Sequence, residues 1–129
     1  MVVPCSSTRI MKRLYFFGEH LKRSFHYQVL IVAGGYDGSY LNSTELMTYK
    51  PGSEMKWRQA GPLPRSMYGV RMVNLNKYIY LLGGYNGSYF DDILQYKDGV
   101  WINVGKMKTK RAFHSVSVVT NYKDMLCAD

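Results

Sequence analysis

The 129-residue sequence predicts an all-β fold assembled from a repeated unit, on three observations. Twelve Tyr and twelve Gly stand beside many Val, Ile and Leu, a composition that favours pleated strands joined by tight turns. Short apolar runs end in glycine pairs instead of continuing at a helical period. Finally, Gly34-Gly35-Tyr36-Asp37-Gly38-Ser39-Tyr40 returns as Gly83-Gly84-Tyr85-Asn86-Gly87-Ser88-Tyr89, at an offset of 49. Tyr49 and Tyr96 match at an offset of 47, Trp57 and Trp101 at 44, and Arg65 and Arg111 at 46. Such recurrence in separate features marks an internal repeat, and a repeat governs the fold.

The elements follow in chain order. Residues 1–27 form a basic segment without a recognisable counterpart. Val29-Leu30-Ile31-Val32 and Tyr78-Ile79-Tyr80-Leu81-Leu82 are short apolar runs closed by Gly, which reads as strands buried on both faces. Tyr68–Leu75 is a preceding strand that turns at Asn76-Lys77. Asp92–Tyr96 and Val100–Val104 flank Lys97-Asp98-Gly99, and Asp-Gly between two such runs is a hairpin signal. The second unit is therefore predicted to hold four antiparallel strands, 68–75, 78–83, 91–97 and 100–104. The matching segment of the first unit, Lys50–Lys56 with Pro51-Gly52, is longer and predicts a looser loop. The first unit has no clear opening strand, and Phe113–Val119 is expected to begin a third. The units divide as 28–64, 65–110 and 111–129.

With these residues assembled, the chain resembles the kelch-repeat β-propeller family. The resemblance rests on a glycine pair followed by a spaced Tyr and Trp: Gly34-Gly35, Tyr49 and Trp57, then Gly83-Gly84, Tyr96 and Trp101. Pro64-Arg65 and Lys110-Arg111 supply the family's step into the next blade. It implies kelch-type propeller blades of four-stranded antiparallel sheets. About two blades form an incomplete ring, because a closed propeller needs at least about four. It also implies a protein-interaction module, which in many relatives binds actin or selects substrates for a ubiquitin ligase. No BTB domain is recognisable here, so ligase membership is not inferred. Two other readings stand beside it: a fragment of a propeller enzyme of oxidase or sialidase type, and a truncated product without independent function.

Gly34, Gly35, Gly83 and Gly84 are expected to be structural, because a side chain there would strike the neighbouring strand. Tyr49, Tyr96, Trp57 and Trp101 are expected to pack the blades. The turns after the glycine pairs carry Tyr, Asp or Asn, and Ser, a composition suited to adaptable recognition. Tyr36, Asp37, Ser39, Tyr40, Tyr85, Asn86, Ser88 and Tyr89 are thus the candidate partner-binding residues, and the resemblance adds Arg65 and Arg111. The bland alternative is a pair of ordinary solvated turns.

No catalytic residue is identified. Asp91 and Asp92 are adjacent and should point to opposite faces of a strand. His20, His26 and His114 are scattered, so no metal site is read, and no cofactor is expected. The net charge is +8, with Arg9, Lys12, Arg13, Lys22 and Arg23 against Glu19 in the first 27 residues, and a second basic run at Lys106, Lys108, Lys110 and Arg111. No RNA-binding or zinc-finger motif accompanies these runs, so they read as solvated loops and no nucleic-acid partner is expected. No stretch approaches the roughly 18 apolar residues of a membrane span. Cys5 and Cys127 form neither a disulfide framework nor a metal pair, which fits a reducing, cytoplasmic setting. Asn42-Ser43-Thr44 and Asn86-Gly87-Ser88 match the glycosylation pattern and keep a secreted alternative open. The expected partner is another protein, with self-association through open blade edges as a further expectation.

Overall fold

The computed structural model describes residues 28–120, and all but the last two of these belong to one compact unit, His26–Val118. Cys5, His20, His26, Cys127 and the N-terminal basic run lie outside the described residues.

The described residues are all-β. Strands β1 (Gln28–Ala33), β2 (Thr44–Tyr49) and β3 (Trp57–Ala60) make a three-stranded antiparallel sheet in the order β1-β2-β3. Strands β4 (Arg71–Leu75), β5 (Tyr78–Leu82), β6 (Asp92–Lys97) and β7 (Val100–Lys106) make a four-stranded one, also in sequence order. These are propeller blades, and the two sheets do not close a ring.

The hairpins of the second sheet follow from their turn residues. Asn76 and Lys77 have φ of 50° and 73°, and Asp98 and Gly99 have 52° and 83°. Two successive positive φ values are the primed turn whose twist matches that of paired strands. Between β2 and β3 the loop is longer, and Ser53 closes it by donating from its backbone N (3.1 Å) and Oγ (2.8 Å) to the Lys50 carbonyl.

Strand pairing corrects the repeat register. Leu30 pairs with Met47, which pairs with Trp57; Ile79 pairs with Tyr96, which pairs with Trp101. Met47 is therefore the counterpart of Tyr96, and Tyr49 lies two residues beyond it at the end of β2. The offset is 49 from β1 and β2 to β5 and β6 and 44 from Trp57 to Trp101, so the length difference sits in the loop 50–56.

The core lies between the sheets. Ala33 from the first packs with Leu63 and Met67 of the connector and with Leu81, Leu94 and Trp101 of the second. Trp101 is 8% exposed; its ring meets Tyr96 at 5.1 Å, and its Nε1 donates to Thr44 Oγ1 across the sheets at 2.9 Å. Gly61 N donates to Gly99 O at 3.1 Å, a second tie between them.

Two sequence expectations change here. Trp57 is 51% exposed and Tyr49 is also exposed, so neither packs as Trp101 does. Strand β1 is buried on one face rather than two, with Gln28, Leu30 and Val32 exposed, whereas in β5 only Tyr78 is exposed. Among the described residues Phe113–Val118 carries no strand.

Candidate partner-binding surface

The surface is built where the turn after each glycine pair meets the connector into the next strand. Gly34 and Gly83 each hold a φ of +68°, a left-handed conformation that costs a side-chain-bearing residue energy. A Cβ would also lie 2.6 Å from the Met67 carbonyl oxygen at Gly34, and closer still to that of Arg111 at Gly83. What the glycines avoid is thus the incoming connector, not a neighbouring strand. The connector is held there by hydrogen bonds, Gly35 N to Met67 O (2.8 Å) and Gly84 N to Arg111 O (3.0 Å). Met67 N and Arg111 N in turn donate to the carbonyls of Leu41 and Phe90. By these bonds Met67, and not Arg65, is the counterpart of Arg111.

Each turn is a small closed loop. Leu41 N and Phe90 N donate to the carbonyls of Gly35 and Gly84, both at 2.9 Å, and bridges join Tyr36 to Tyr40 and Tyr85 to Tyr89. Asp37 Oδ1 accepts from Ser39 N at 3.1 Å, which stiffens the first turn. Both tyrosines of each turn are therefore carried on a fixed backbone.

The two turns are joined by Tyr68, which pairs with Tyr85 through N–H to carbonyl bonds of 3.0 and 2.9 Å. Its ring lies 5.6 Å from Tyr36, 5.4 Å from Tyr40, 5.8 Å from Tyr85 and 4.9 Å from Phe113. Tyr36–Tyr40, Tyr40–Tyr85 and Tyr85–Tyr89 contacts of 5.5, 6.2 and 4.9 Å complete a continuous patch of six rings. Ring pairs at such spacings support one another. Tyr36, Tyr89 and Phe113 nonetheless leave more than half their surface to solvent. The Tyr40 hydroxyl has its pKa raised, first by burial and then by the Tyr85, Tyr68 and Tyr36 hydroxyls, so it remains a neutral donor and acceptor.

Of the expected site residues, Tyr36, Asp37, Ser39, Tyr40, Tyr85, Ser88 and Tyr89 sit on these two turns. Arg111 is exposed on the second connector. Two others are engaged internally. Arg65 Nη2 pairs with the buried Asp92 Oδ2 at 3.2 Å, and its guanidinium lies 4.6 Å over Phe90. Asn86 Nδ2 donates to the Ser66 carbonyl at 2.9 Å and ties the second turn to the first connector. Tyr68 and Phe113 were not among the expected residues. Their signal was positional, since each is an aromatic two or three residues after a connector arginine. Asp91 and Asp92 diverge, to Lys106 at 3.5 Å and to Arg65, as expected for adjacent strand residues.

His114 lies beside the second glycine pair, with its Cε1 2.9 Å from where a Gly83 side chain would begin. Both ring nitrogens are buried without a hydrogen-bond partner. Its pKa is lowered from 6.5, first by burial and then by Arg111 and Arg71. The unfolded chain therefore binds a proton at a higher pH than the folded one, so His114's contribution is complete above about pH 6.5 and is lost below it. The urea midpoint should fall between pH 7 and pH 5.5, and His114→Leu should reduce the fall. An equal fall in the variant would assign it to other groups.

No family model matches the chain. Among curated proteins it is similar to Beta-scruin of Limulus polyphemus, 31% identical over 124 residues and 84% of this chain. It is also similar to Kelch-like protein 21 of Rattus norvegicus, 29% identical over 106 residues and 79% of this chain. The chain spans only 13% and 18% of the lengths of these two relatives.

Proposed function

The chain belongs to the kelch-repeat family, and from that premise we propose that it is a protein-interaction module whose contact surface is the tyrosine patch. The observation that carries this reading is the six-ring patch itself, exposed yet fixed. Exposed aromatic groups gathered in one place mark interaction sites, whereas singly scattered ones are ordinary. Tyr rings give large contact area with few torsions to freeze, and their hydroxyls still bond polar groups of a partner. Asp37, Ser39 and Ser88 add polar contacts around them, and Arg111 adds a positive rim. Arg65 and Asn86 serve this surface from behind, by holding the turns in place.

The partner is another protein, in a cytoplasmic setting. Actin binding and substrate selection are two forms that this role takes in the family, and the patch does not distinguish them. A binding role is also the reading that the charged groups support, since Asp91, Asp92 and Arg65 are engaged in ion pairs rather than gathered in a cleft. Among the described residues no helix is long and apolar enough to cross a membrane.

Affinity capture with the wild-type chain and with a Tyr36→Ala/Tyr85→Ala variant tests the proposal. Central aromatic anchors lose about 2 kcal/mol or more each on truncation, or about 30-fold in affinity. A protein bound by the wild type should be lost from the variant while its urea midpoint holds. Equal retention by both chains would remove the patch as the contact surface.

A further inference from the structure

Asn86 is the only asparagine of the chain that precedes a glycine. It stands in the second tyrosine turn where the first has Asp37, and the two turns share a backbone form. Asp37 N donates to Ser39 O and Asn86 N to Ser88 O, both at 3.2 Å, and Gly38 and Gly87 hold φ of +112° and +97°. Nothing stands within 4 Å of where a side chain would begin on either glycine. The side chains before them are used differently. Asp37 Oδ1 turns back to accept from Ser39 N at 3.1 Å, whereas Asn86 Nδ2 reaches out to the Ser66 carbonyl at 2.9 Å. That bond latches the second turn to the first connector, beside Met67 and Tyr68.

An asparagine before a glycine carries its own modification chemistry, because no side chain shields the glycine nitrogen. Gly87 N attacks Asn86 Cγ and gives up its proton; the Cγ–Nδ2 bond breaks and ammonia leaves with that proton. Water then opens the cyclic imide to aspartate or isoaspartate, so one water is consumed and one ammonia released. The attack needs the two atoms in near contact and aligned. An amide held on Ser66 is restrained from that geometry. The products cannot rebuild the latch, since a carboxylate has only acceptors and the Ser66 carbonyl is an acceptor too. Asp37 shows what an aspartate does in this turn: it bonds the nitrogen two residues on, which is Ser88 N in the second turn. Isoaspartate puts an extra atom into the main chain of a loop closed by the Tyr85–Tyr89 bridge and the Phe90 N to Gly84 O bond.

We infer that Asn86 is a deamidation site, guarded by the Ser66 carbonyl, whose conversion unlatches the second turn and weakens the grip of the tyrosine patch. The weakened grip rests on the patch being the contact surface; the guarded reaction does not.

The full chain is incubated folded and in urea, and its digested peptides are followed by mass spectrometry. In urea Asn86 should react before every other asparagine, and in the folded chain it should react about tenfold more slowly, the effect of one hydrogen bond. Equal rates, or another asparagine reacting first in urea, would overturn the guarded site. Asn86→Asp, which is the product itself, should have a lower urea midpoint than wild type and bind the captured protein about tenfold more weakly. Asn86→Ala removes the latch without adding a charge, and its midpoint should fall between the two. An Asn86→Asp chain that matches wild type in midpoint would overturn the unlatching. Binding kept by Asn86→Asp but lost by Tyr36→Ala/Tyr85→Ala would overturn its effect on the patch. Binding kept by the double tyrosine variant would instead remove the patch reading, and the rates and midpoints would still decide the site.

Discussion

Trp101→Ala is expected to destabilise the unit by about 3–5 kcal/mol, the usual range for deleting a large buried aromatic side chain. Among the described residues the indole both fills the space between the sheets and bonds across it. Removing it empties the site beside Tyr96 and leaves Thr44 Oγ1, in a residue 1% exposed, without its donor. A buried hydroxyl stripped of its partner costs about 1–3 kcal/mol by itself. Trp101→Phe restores most of the apolar volume and none of the hydrogen bond, so it should fall between Ala and wild type. Trp57→Ala, measured in dilute solution, is expected to cost about 1 kcal/mol or less, as exposed positions do. Urea unfolding followed by circular dichroism measures all three. Equal losses at the two tryptophans would show that Trp101 does not join the sheets.

Gly83→Ala is expected to cost on the order of 3 kcal/mol or more, and to impair the tyrosine patch as well. Two penalties coincide at this position. A left-handed conformation costs alanine about 1 kcal/mol relative to glycine. The added methyl would also meet a backbone oxygen, that of Arg111, which cannot turn aside as a flexible side chain could. Relief requires the connector to withdraw, which breaks the bond from Gly84 N and moves the support of Tyr85. Gly38→Ala separates the two penalties, since Gly38 has a φ of +112° but open space around its missing side chain. It should cost about 1–2 kcal/mol and leave binding by the second turn intact. A Gly83 variant no worse than the Gly38 variant would mean that the connector is not held as described.

Much of this was legible in the sequence because the information was local. Short apolar runs and the glycine pairs marked the strands, and Asn76-Lys77 and Asp98-Gly99 marked turns in which Asn76, Asp98 and Gly99 are residue types that accept a positive φ. The repeated heptapeptide placed both candidate turns. Matching by residue type misled where pairing alone fixes the register: Tyr49 looks like Tyr96 and Arg65 looks like Arg111, yet the ladders and connector bonds equate Met47 with Tyr96 and Met67 with Arg111. A strand position is defined by what lies across from it, and an identical residue two places along has the same chemistry in a different place.

The sequence by itself determined the fold class, the repeat, the family resemblance and the two glycine-bent turns, since each is written in residues close together along the chain. Only the tertiary structure decided that Tyr68 and Phe113 join those turns into one patch, that Arg65 pairs with Asp92 and Asn86 with the Ser66 carbonyl, and that Trp101 is buried where Trp57 is not. The physical reason is the same in each case. Ring contacts, ion pairs and burial depend on which segments meet in space, and two tryptophans in equivalent strands differ only in whether another sheet stands in front of them.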